Sequence, residues 1–369
     1  MRSARKVLFR RSPFLVCYWS GAQLVFENFA TGTRVSAAPV ASEILTFFDR
    51  WHSAEDLFSH LEEYAPASLR KALHALVRHA LLERSDRKPT SKERAMQTWA
   101  DWNPAAGFFH FSTKDVVFEM DPVAAFHALK KRARTWPMPP PVKRYPRAPQ
   151  VPLAVPEVSG EFPRVLLARR TWRQFARRPV ELKTLGELLW LAGRVQRWVK
   201  IPGLGRFALK TSPSGGALHP LEIYVHAPRV AGLAPGIYHY DAERHRLERL
   251  RRGATSRQLV GYVPGQPWYA DASALLLMTA VFSRSQWKYQ FARCYRAVLL
   301  DAGHLSQTFC LAATWLGLAP FCTLALADSR VEKDLGVDGV TESVVFAVGI
   351  GARPPGVDWA PWPKSHRPI

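Results

Sequence analysis

Residues 309–327 run for 19 positions without a charged side chain, and the apolar character starts earlier, at Tyr295. Few structures are open to a stretch like this. It can cross a membrane, or it can be buried from several sides in a folded domain. Gly317 and Pro320 interrupt it. Glycine weakens a helix, and proline lacks the N–H that a helix interior needs. The pattern therefore predicts a buried helix over residues 295–318, then a buried strand over 321–326, and no membrane span. A helix apolar on nearly all faces must be covered on nearly all of them, which predicts a homodimer.

The chain has 369 residues, 47% hydrophobic and 12% aromatic, enough for one large domain and one small one. Lys and Arg number 51 against 30 Asp and Glu, a formal net charge of +21. That balance favours anionic partners: phosphate, nucleic acid or an acidic peptide. The excess is dispersed, with 23 basic and 14 acidic side chains in residues 1–150 and 28 and 16 in the rest. Dispersion is poor support for a nucleic-acid groove, and Arg-rich usage in general would give the same balance. Cys17, Cys294, Cys310 and Cys322 show no CxxC spacing, so neither a metal site nor a disulfide framework is expected. Residues 1–11 are basic and lack the apolar run of a signal peptide, so a cytoplasmic protein is expected.

Three regions are predicted. In residues 1–90, short apolar runs over 14–35 are broken by turns at Ser20-Gly21 and Thr31-Gly32 and read as antiparallel strands. Helical patterns follow over 38–50, from Ser53 onward, and over 67–79. Glu55 and Asp56 suit the first turn of the second helix. Leu69, Leu73, Leu76 and Val77 share one face of the third. This order of strands and three helices resembles a PqqD-like, winged-helix peptide clamp; a generic small α+β appendage would read similarly. Residues 91–160 hold a segment starting at Trp102 and then a linker with eight prolines between Pro137 and Pro156. The basic run 130–134 precedes it, and Lys143, Arg144 and Arg147 lie inside it. Proline fixes φ and removes donors, so the linker is expected to be extended, either solvated or a docking strip for an acidic partner. Residues 161–369 read as mixed α and β: a helix over 182–192, strands over 221–226, 237–240 and 245–250, and central apolar strands over 274–282 and 343–350.

Three motifs carry chemistry. Arg169-Arg170-Thr171-Trp172-Arg173 offers guanidinium groups and a hydroxyl, the donors a dianionic phosphate needs. Pro213-Ser214-Gly215-Gly216 precedes a strand; two glycines let backbone approach a flat ring without Cβ clashes. An ordinary turn would also read this way. Lys288-Tyr289 places two proton-moving groups side by side. A lysine is a useful base only when burial or a cationic neighbour lowers its pKa, and Arg284, Arg293 and Arg296 are near in sequence. A surface lysine beside an aromatic anchor is the plainer alternative.

Together, and with the continuation Ala217-Leu218-His219-Pro220-Leu221-Glu222, these motifs resemble the SagB/McbC branch of the flavin nitroreductase superfamily over roughly residues 101–352. The resemblance implies an α+β, nitroreductase-like fold: a dimer with a central, mainly antiparallel sheet flanked by helices, preceded by the small winged-helix-like domain. It implies FMN as cofactor. Arg169, Thr171 and Arg173 match the superfamily's FMN motif, with Arg170 between them. Pro213, Ser214, Gly215 and Gly216 would contact the flavin. Gln307 would reach the ribityl chain, backbone groups near Cys322 and Thr323 would face the ring, and Arg353 would add to the phosphate site. Lys288 and Tyr289 would be catalytic. His304 reads as a core histidine, and His219 can stack, donate or pack. No GxGxxG opens a βαβ unit, so no Rossmann site is expected.

The function implied is oxidation of thiazoline or oxazoline rings to azoles in a ribosomally made peptide, with hydride passing to flavin and oxygen as reoxidant. A precursor peptide and a cyclodehydratase are the partners implied. An NAD(P)H-dependent nitro, quinone or ene reductase uses the same flavin site in reverse. A winged-helix nucleic-acid binder is disfavoured, because the third helix carries only Arg70, Lys71 and Arg78.

Overall fold

The computed structural model describes residues 6–135 and 159–356; the proline-rich linker predicted at 137–156 lies outside the described residues. The chain forms two compact units, one of Met1–Lys114 with Gln286–Arg296, the other of Asp115–Ser285 with Ala297–Ile369.

In chain order the first unit contains β1 (Leu8–Arg11), β2 (Leu15–Ser20), β3 (Gln23–Asn28), β4 (Thr33–Ser36), α1 (Val40–Phe47), β5 (His52–Ser53), α2 (Ala54–His60), α3 (Pro66–Arg78), β6 (Leu82–Arg84), α4 (Ser91–Ala95) and α5 (Ala105–Ser112). The predicted turns join β2, β3 and β4 into one antiparallel sheet, with Gly21 at φ +60° and Gly32 at φ +73°. Both angles favour glycine. Helix α2 starts at the predicted place: the Ser53 hydroxyl accepts from the Asp56 N–H, and the Asp56 carboxylate accepts from the Ser53 N–H. Leu69, Leu73 and Leu76 of α3 pack on Ile44, Leu45, Phe48 and Leu57, closing a small core. A second sheet, in the order β5-β1-β6, was not foreseen. Its strands are two to four residues long, and β1 ends in two arginines, so no apolar alternation announces it.

The second unit contains α6 (Pro122–Thr135), α7 (Glu161–Ala168), β7 (Val180–Glu181), α8 (Leu182–Gly193), β8 (Arg197–Ile201), β9 (Gly205–Leu209), β10 (Leu221–Ala227), β11 (Val230–Ala231), β12 (Gly236–Asp241), β13 (Arg246–Arg252), α9 (Ser256–Tyr262), β14 (Ala274–Val281), α10 (Phe282–Gln286), α11 (Cys294–Trp315), β15 (Leu318–Thr323), α12 (Asp328–Leu335) and β16 (Glu342–Ala352). The last residue of α10 and the first three of α11 belong with the first unit. Six strands make one sheet in the order β13-β12-β10-β14-β16-β15, and every neighbouring pair is antiparallel. This is the predicted α+β architecture.

Period-two alternation assigns the two faces of the sheet. Tyr224, Ile237, Leu275, Leu277 and Val344 pack with Leu259 and Tyr262 of α9 and Val331 and Leu335 of α12. Ile223 and Tyr240 point the other way, toward α8, so closely that a Cβ on Gly193 would meet Ile223 Cδ1 at 2.6 Å. With both faces covered, β14 is buried along Ala274–Ala280 and reads in sequence as a continuous apolar run. Leu185, Leu188 and Leu189 of α8 are almost wholly buried, each stabilising the fold by roughly 1.5–3 kcal/mol.

The long apolar stretch divides earlier than predicted. Helix α11 stops at Trp315, not at Leu318, and the strand that follows spans Leu318–Thr323, not 321–326. Gly317, at φ +70°, ends the helix in a conformation that disfavours a side chain. Pro320 sits inside β15 because β15 is an edge strand, where a missing N–H costs little. Leu300 and Trp315 of α11 are more than half exposed in the single chain. No helix among the described residues is long and apolar enough to cross a membrane.

Candidate active site

The arginine motif lies on an irregular segment stitched to the edge of the sheet. Trp172 donates its backbone N–H to the Pro320 carbonyl of β15 at 3.0 Å, and Ala176 donates to the Ala352 carbonyl of β16 at 2.9 Å. Trp172 and Phe175 are buried and fix the segment. Arg170 is exposed, and its Nη1 is taken by the Leu167 and Arg169 carbonyls. Arg169 has no carboxylate partner among the described residues. The Arg173 guanidinium lies over the Phe321 ring at 5.2 Å, and burial pushes its pKa down. A cation held in partly apolar surroundings gains most from an anion. Arg353 packs over Trp172 at 5.4 Å, but Nε donates to the Leu318 carbonyl at 2.8 Å and Nη2 to the Thr314 carbonyl at 2.9 Å. The Thr314 bond satisfies a carbonyl at the C-terminal end of α11, where a positive charge is also favourable, and the Leu318 bond ties the arginine to the start of β15. Cys322, on β15, hydrogen-bonds with Cys310 of α11, which lowers the Cys322 pKa and raises that of Cys310; Arg169 is close enough to favour the Cys322 thiolate. The structure thus gathers Arg169, Arg173, Cys322 and Arg353 around the C-terminal half of α11, with Thr171 and Thr323 adjacent to them in the chain.

The Ser-Gly-Gly motif forms a tight loop further up the same helix. Gly216, Ala217 and His219 all have positive φ, at +66°, +57° and +42°. Backbone in this region is costly for Ala and His and persists only where the surroundings impose it. Asp301 of α11, buried at 6% exposure, imposes it. Its Oδ2 accepts from the Ser214 hydroxyl at 2.5 Å and its Oδ1 from the Gly215 N–H at 3.2 Å. Ser214 Oγ in turn accepts from the His219 N–H at 2.9 Å, and Ser212 Oγ meets Thr308 Oγ1 at 2.7 Å. The Ser214 hydroxyl and Gly215 N–H therefore point inward to the helix. Gln307, beside Thr308, is exposed. Asp301 was read from sequence only as part of the helix, because nothing local marks a carboxylate that will receive a loop 86 positions earlier.

Behind the loop lies a polar chain. Arg284 of α10 donates to the His219 carbonyl at 3.1 Å and pairs with the Glu222 carboxylate. Glu222 also pairs with His239 Nε2 at 3.0 Å, and His239 Nδ1 meets Glu248 at 3.0 Å. Glu222 and Glu248 raise the His239 pKa to about 9, against its burial. Burial and the nearby Lys210 push His219 down to about 4, so it is neutral at physiological pH. Burial also lowers the Lys210 pKa.

Lys288 and Tyr289 belong to the other unit, in the segment 286–296. Lys288 is exposed in the single chain, with Nζ 5.4 Å from the Tyr289 ring centre. The Tyr289 carbonyl accepts from Trp102 Nε1 at 3.0 Å, and the Tyr295 hydroxyl meets His110 Nδ1 at 2.8 Å. Trp99 stacks on His110 at 4.9 Å. The segment around Trp102 singled out in sequence thus seats the Lys-Tyr pair. The arginine and Ser-Gly-Gly motifs lie along α11, and Lys288 and Tyr289 sit on an aromatic-anchored segment of the first unit.

The chain resembles known proteins in the region that builds this arrangement. The nitroreductase family pattern matches residues 166–352. MJ1384, a nitroreductase-type protein of Methanocaldococcus jannaschii, is 32% identical over 173 residues, 47% of this chain and 83% of that protein. The trifolitoxin-processing protein TfxB of Rhizobium leguminosarum bv. trifolii is 33% identical over 40% of this chain and 41% of its own length. The microcin B17-processing protein McbC of Escherichia coli is 28% identical over 34% of this chain and 48% of its own. The match thus spans under half of each of these two processing proteins. The McbC-branch resemblance read from the motifs recurs in them. With the family pattern covering half of its length and the antiparallel sheet it predicts in place, the chain belongs to the nitroreductase family.

Proposed function

We propose that the protein is an FMN-dependent dehydrogenase that oxidises azoline rings to azoles in a ribosomally made peptide. The observation that carries this reading is the pairing of a fixed Ser214–Gly216 loop with an arginine cluster along α11. Asp301 and Cys310 are nine residues apart on that helix, a rise of about 14 Å. A ring and a phosphate at opposite ends of one cofactor suit that separation. Similarity to TfxB and McbC, named for trifolitoxin and microcin B17 processing, supports the substrate class.

In this reading Arg169, Thr171 and Arg173 hold the phosphate, with Arg170 and Arg353 beside them. Pro213, Ser214, Gly215 and Gly216 shape the loop against the ring. Backbone near Cys322 and Thr323 lines its edge, and Gln307 reaches the ribityl chain. Bound FMN supplies the two-electron acceptor. Azoline oxidation removes a proton and a hydride from adjacent carbons, so the protein must supply a base. Lys288 takes the proton, and Tyr289 positions or relays it, with Trp102 holding Tyr289 in place. Oxygen is the final oxidant. The protein acts as a cytoplasmic homodimer, which covers the apolar residues that α11 leaves exposed. Residues 1–90 dock the precursor peptide, and a cyclodehydratase supplies its rings.

The similarity to MJ1384 favours a second reading, an NAD(P)H-dependent reductase on the same fold. Anaerobic single-turnover mixing separates the two. Wild type should retain FMN and bleach it with an azoline peptide. Lys288→Ala and Tyr289→Phe should keep FMN but reduce it about 10²–10⁴-fold more slowly. Protein that takes up no FMN ends the flavin reading. Wild-type rates in both variants remove the pair from the chemistry. Reduction by NAD(P)H alone, with nitro or quinone turnover, selects the second reading.

A further inference from the structure

Among the described residues, strands β8 and β9 form a hairpin that joins no other sheet, in register from Arg197↔Leu209 to Ile201↔Gly205. All five residues of β8 are exposed. Two strands alone are marginally stable, and both outer edges of this pair have no strand partner among the described residues. The hairpin is nevertheless tied down at its base. Gln196 N–H donates to the Leu209 carbonyl at 2.8 Å, Gln196 Nε2 to Thr211 Oγ1 at 2.9 Å, and Thr211 Oγ1 to the Leu191 carbonyl at 2.7 Å. Lys210 and Thr211 then lead straight into Ser212 of the Ser-Gly-Gly loop.

Its two faces differ. Trp198, Lys200 and Arg206 share one, with the Arg206 guanidinium 4.3 Å from the Trp198 ring centre and its Nη2 paired with Glu243 at 3.3 Å, which leaves Lys200 as the cation of this face without a carboxylate partner among the described residues. Val199, Ile201 and Leu209 share the other, beside the exposed Arg197, and are all more than a third exposed. Between Glu187 and Glu222 the sequence contains no acidic residue, while Arg194, Arg197, Lys200, Arg206 and Lys210 all fall there. Acid-free basic runs also occur at residues 122–156 and 162–180; this one is set apart by the free strand edges of the hairpin it contains. Edge strands recruit extended chains through backbone hydrogen bonds, and alternating side chains set the preference.

We infer that the β8–β9 hairpin is a docking arm for an extended, acidic segment of the substrate peptide, which adds along a free strand edge and is led into the Ser212–His219 loop. The inference rests on the peptide-substrate reading above and names the segment chemistry that reading leaves open. The cationic face and the acid-free run select against basic peptides, and the apolar face accepts the alternate side chains.

The test uses the full-length protein and three labelled twelve-residue peptides with apolar residues at alternate positions. The intervening positions are glutamate, glutamine or lysine. Fluorescence anisotropy should show the glutamate peptide binding most tightly and weakening as salt rises. In Lys200→Glu its Kd should rise about threefold or more, with FMN content and melting temperature unchanged. Equal affinity for the glutamate and lysine peptides overturns the inference. So does a charge-reversal variant that binds normally. A variant that instead turns from dimer to monomer in light scattering assigns the hairpin to a second copy of the chain and overturns it too. Because peptide binding is read without turnover, it stands or falls separately from the chemistry at the flavin.

Discussion

At the scale of single residues, Asp301 does most to define the site. One carboxylate takes both the hydroxyl of Ser214 and the N–H of Gly215, and holds a loop with two non-glycine residues in the left-handed region. Removing a buried acceptor leaves donors unsatisfied, at a cost of roughly 1–3 kcal/mol. Asp301→Ala should lower stability by about that amount and weaken FMN retention, measured by urea denaturation and by flavin-fluorescence titration. Asp301→Asn keeps one acceptor and should fall between. A variant with wild-type stability and FMN affinity would show that the loop holds itself. The sequence offered Ser214, Gly215 and Gly216 as a motif but not their partner, because hydrogen bonds across 86 positions follow from tertiary contact alone.

At the scale of elements, Gly349 and Gly351 in β16 lie where aromatic rings press on the strand. A Cβ on Gly349 would meet Tyr269 Cε1 at 2.1 Å, and one on Gly351 would meet Phe175 Cδ1 at 2.6 Å. Phe175 anchors the segment that carries Arg169 and Arg173, so Gly351 lets that segment lie on the sheet. Gly351→Ala should cost about 1–3 kcal/mol through overpacking and loosen FMN. Gly317→Ala meets no atom within 4 Å, so it should cost only the left-handed backbone, about 1–2 kcal/mol, and leave FMN affinity unchanged. Denaturation midpoints with flavin titrations check both. Equal losses of FMN would sink the assigned role of Gly351.

At the scale of the whole molecule, one buried and one half-buried histidine set opposite limits on stability with pH. His226 is fully buried on β10, and burial lowers its pKa from 6.5 to about 4. Below pH 6.5 the unfolded chain binds a proton that the folded one resists. This contribution is therefore present above pH 6.5 and lost as pH falls toward 4, to a limit of about 3 kcal/mol. His239 is the reverse: its carboxylate partners raise it to about 9, so its contribution is full below pH 6.5 and lost as pH rises through 9. Thermal melts across pH 4.5–9.5 should show a maximum near pH 6.5–7. His239→Gln should flatten the alkaline side and His226→Phe the side between pH 6.5 and 4.5. A monotonic profile would contradict both assignments.

The sequence by itself determined the elements whose signals are local. The turns at Gly21 and Gly32, the start of α2 at Ser53, the three-leucine face of α3 and the apolar strands β14 and β16 all stand where residue types and periodicity put them. Each depends on backbone freedom, a neighbouring cap or a periodic apolar face. Motif spelling was enough for the family. Only the tertiary structure decided the rest. It ended α11 at Trp315 and made Pro320 part of an edge strand, because whether a proline is tolerated depends on which side of a strand has a neighbour. It turned Arg353 onto the carbonyls of Thr314 and Leu318, gave Asp301 the loop, and seated the Lys288–Tyr289 segment on Trp102 and His110. These are long-range pairings between groups that are individually unremarkable in sequence, and their energies exist only once burial removes water as the competing partner.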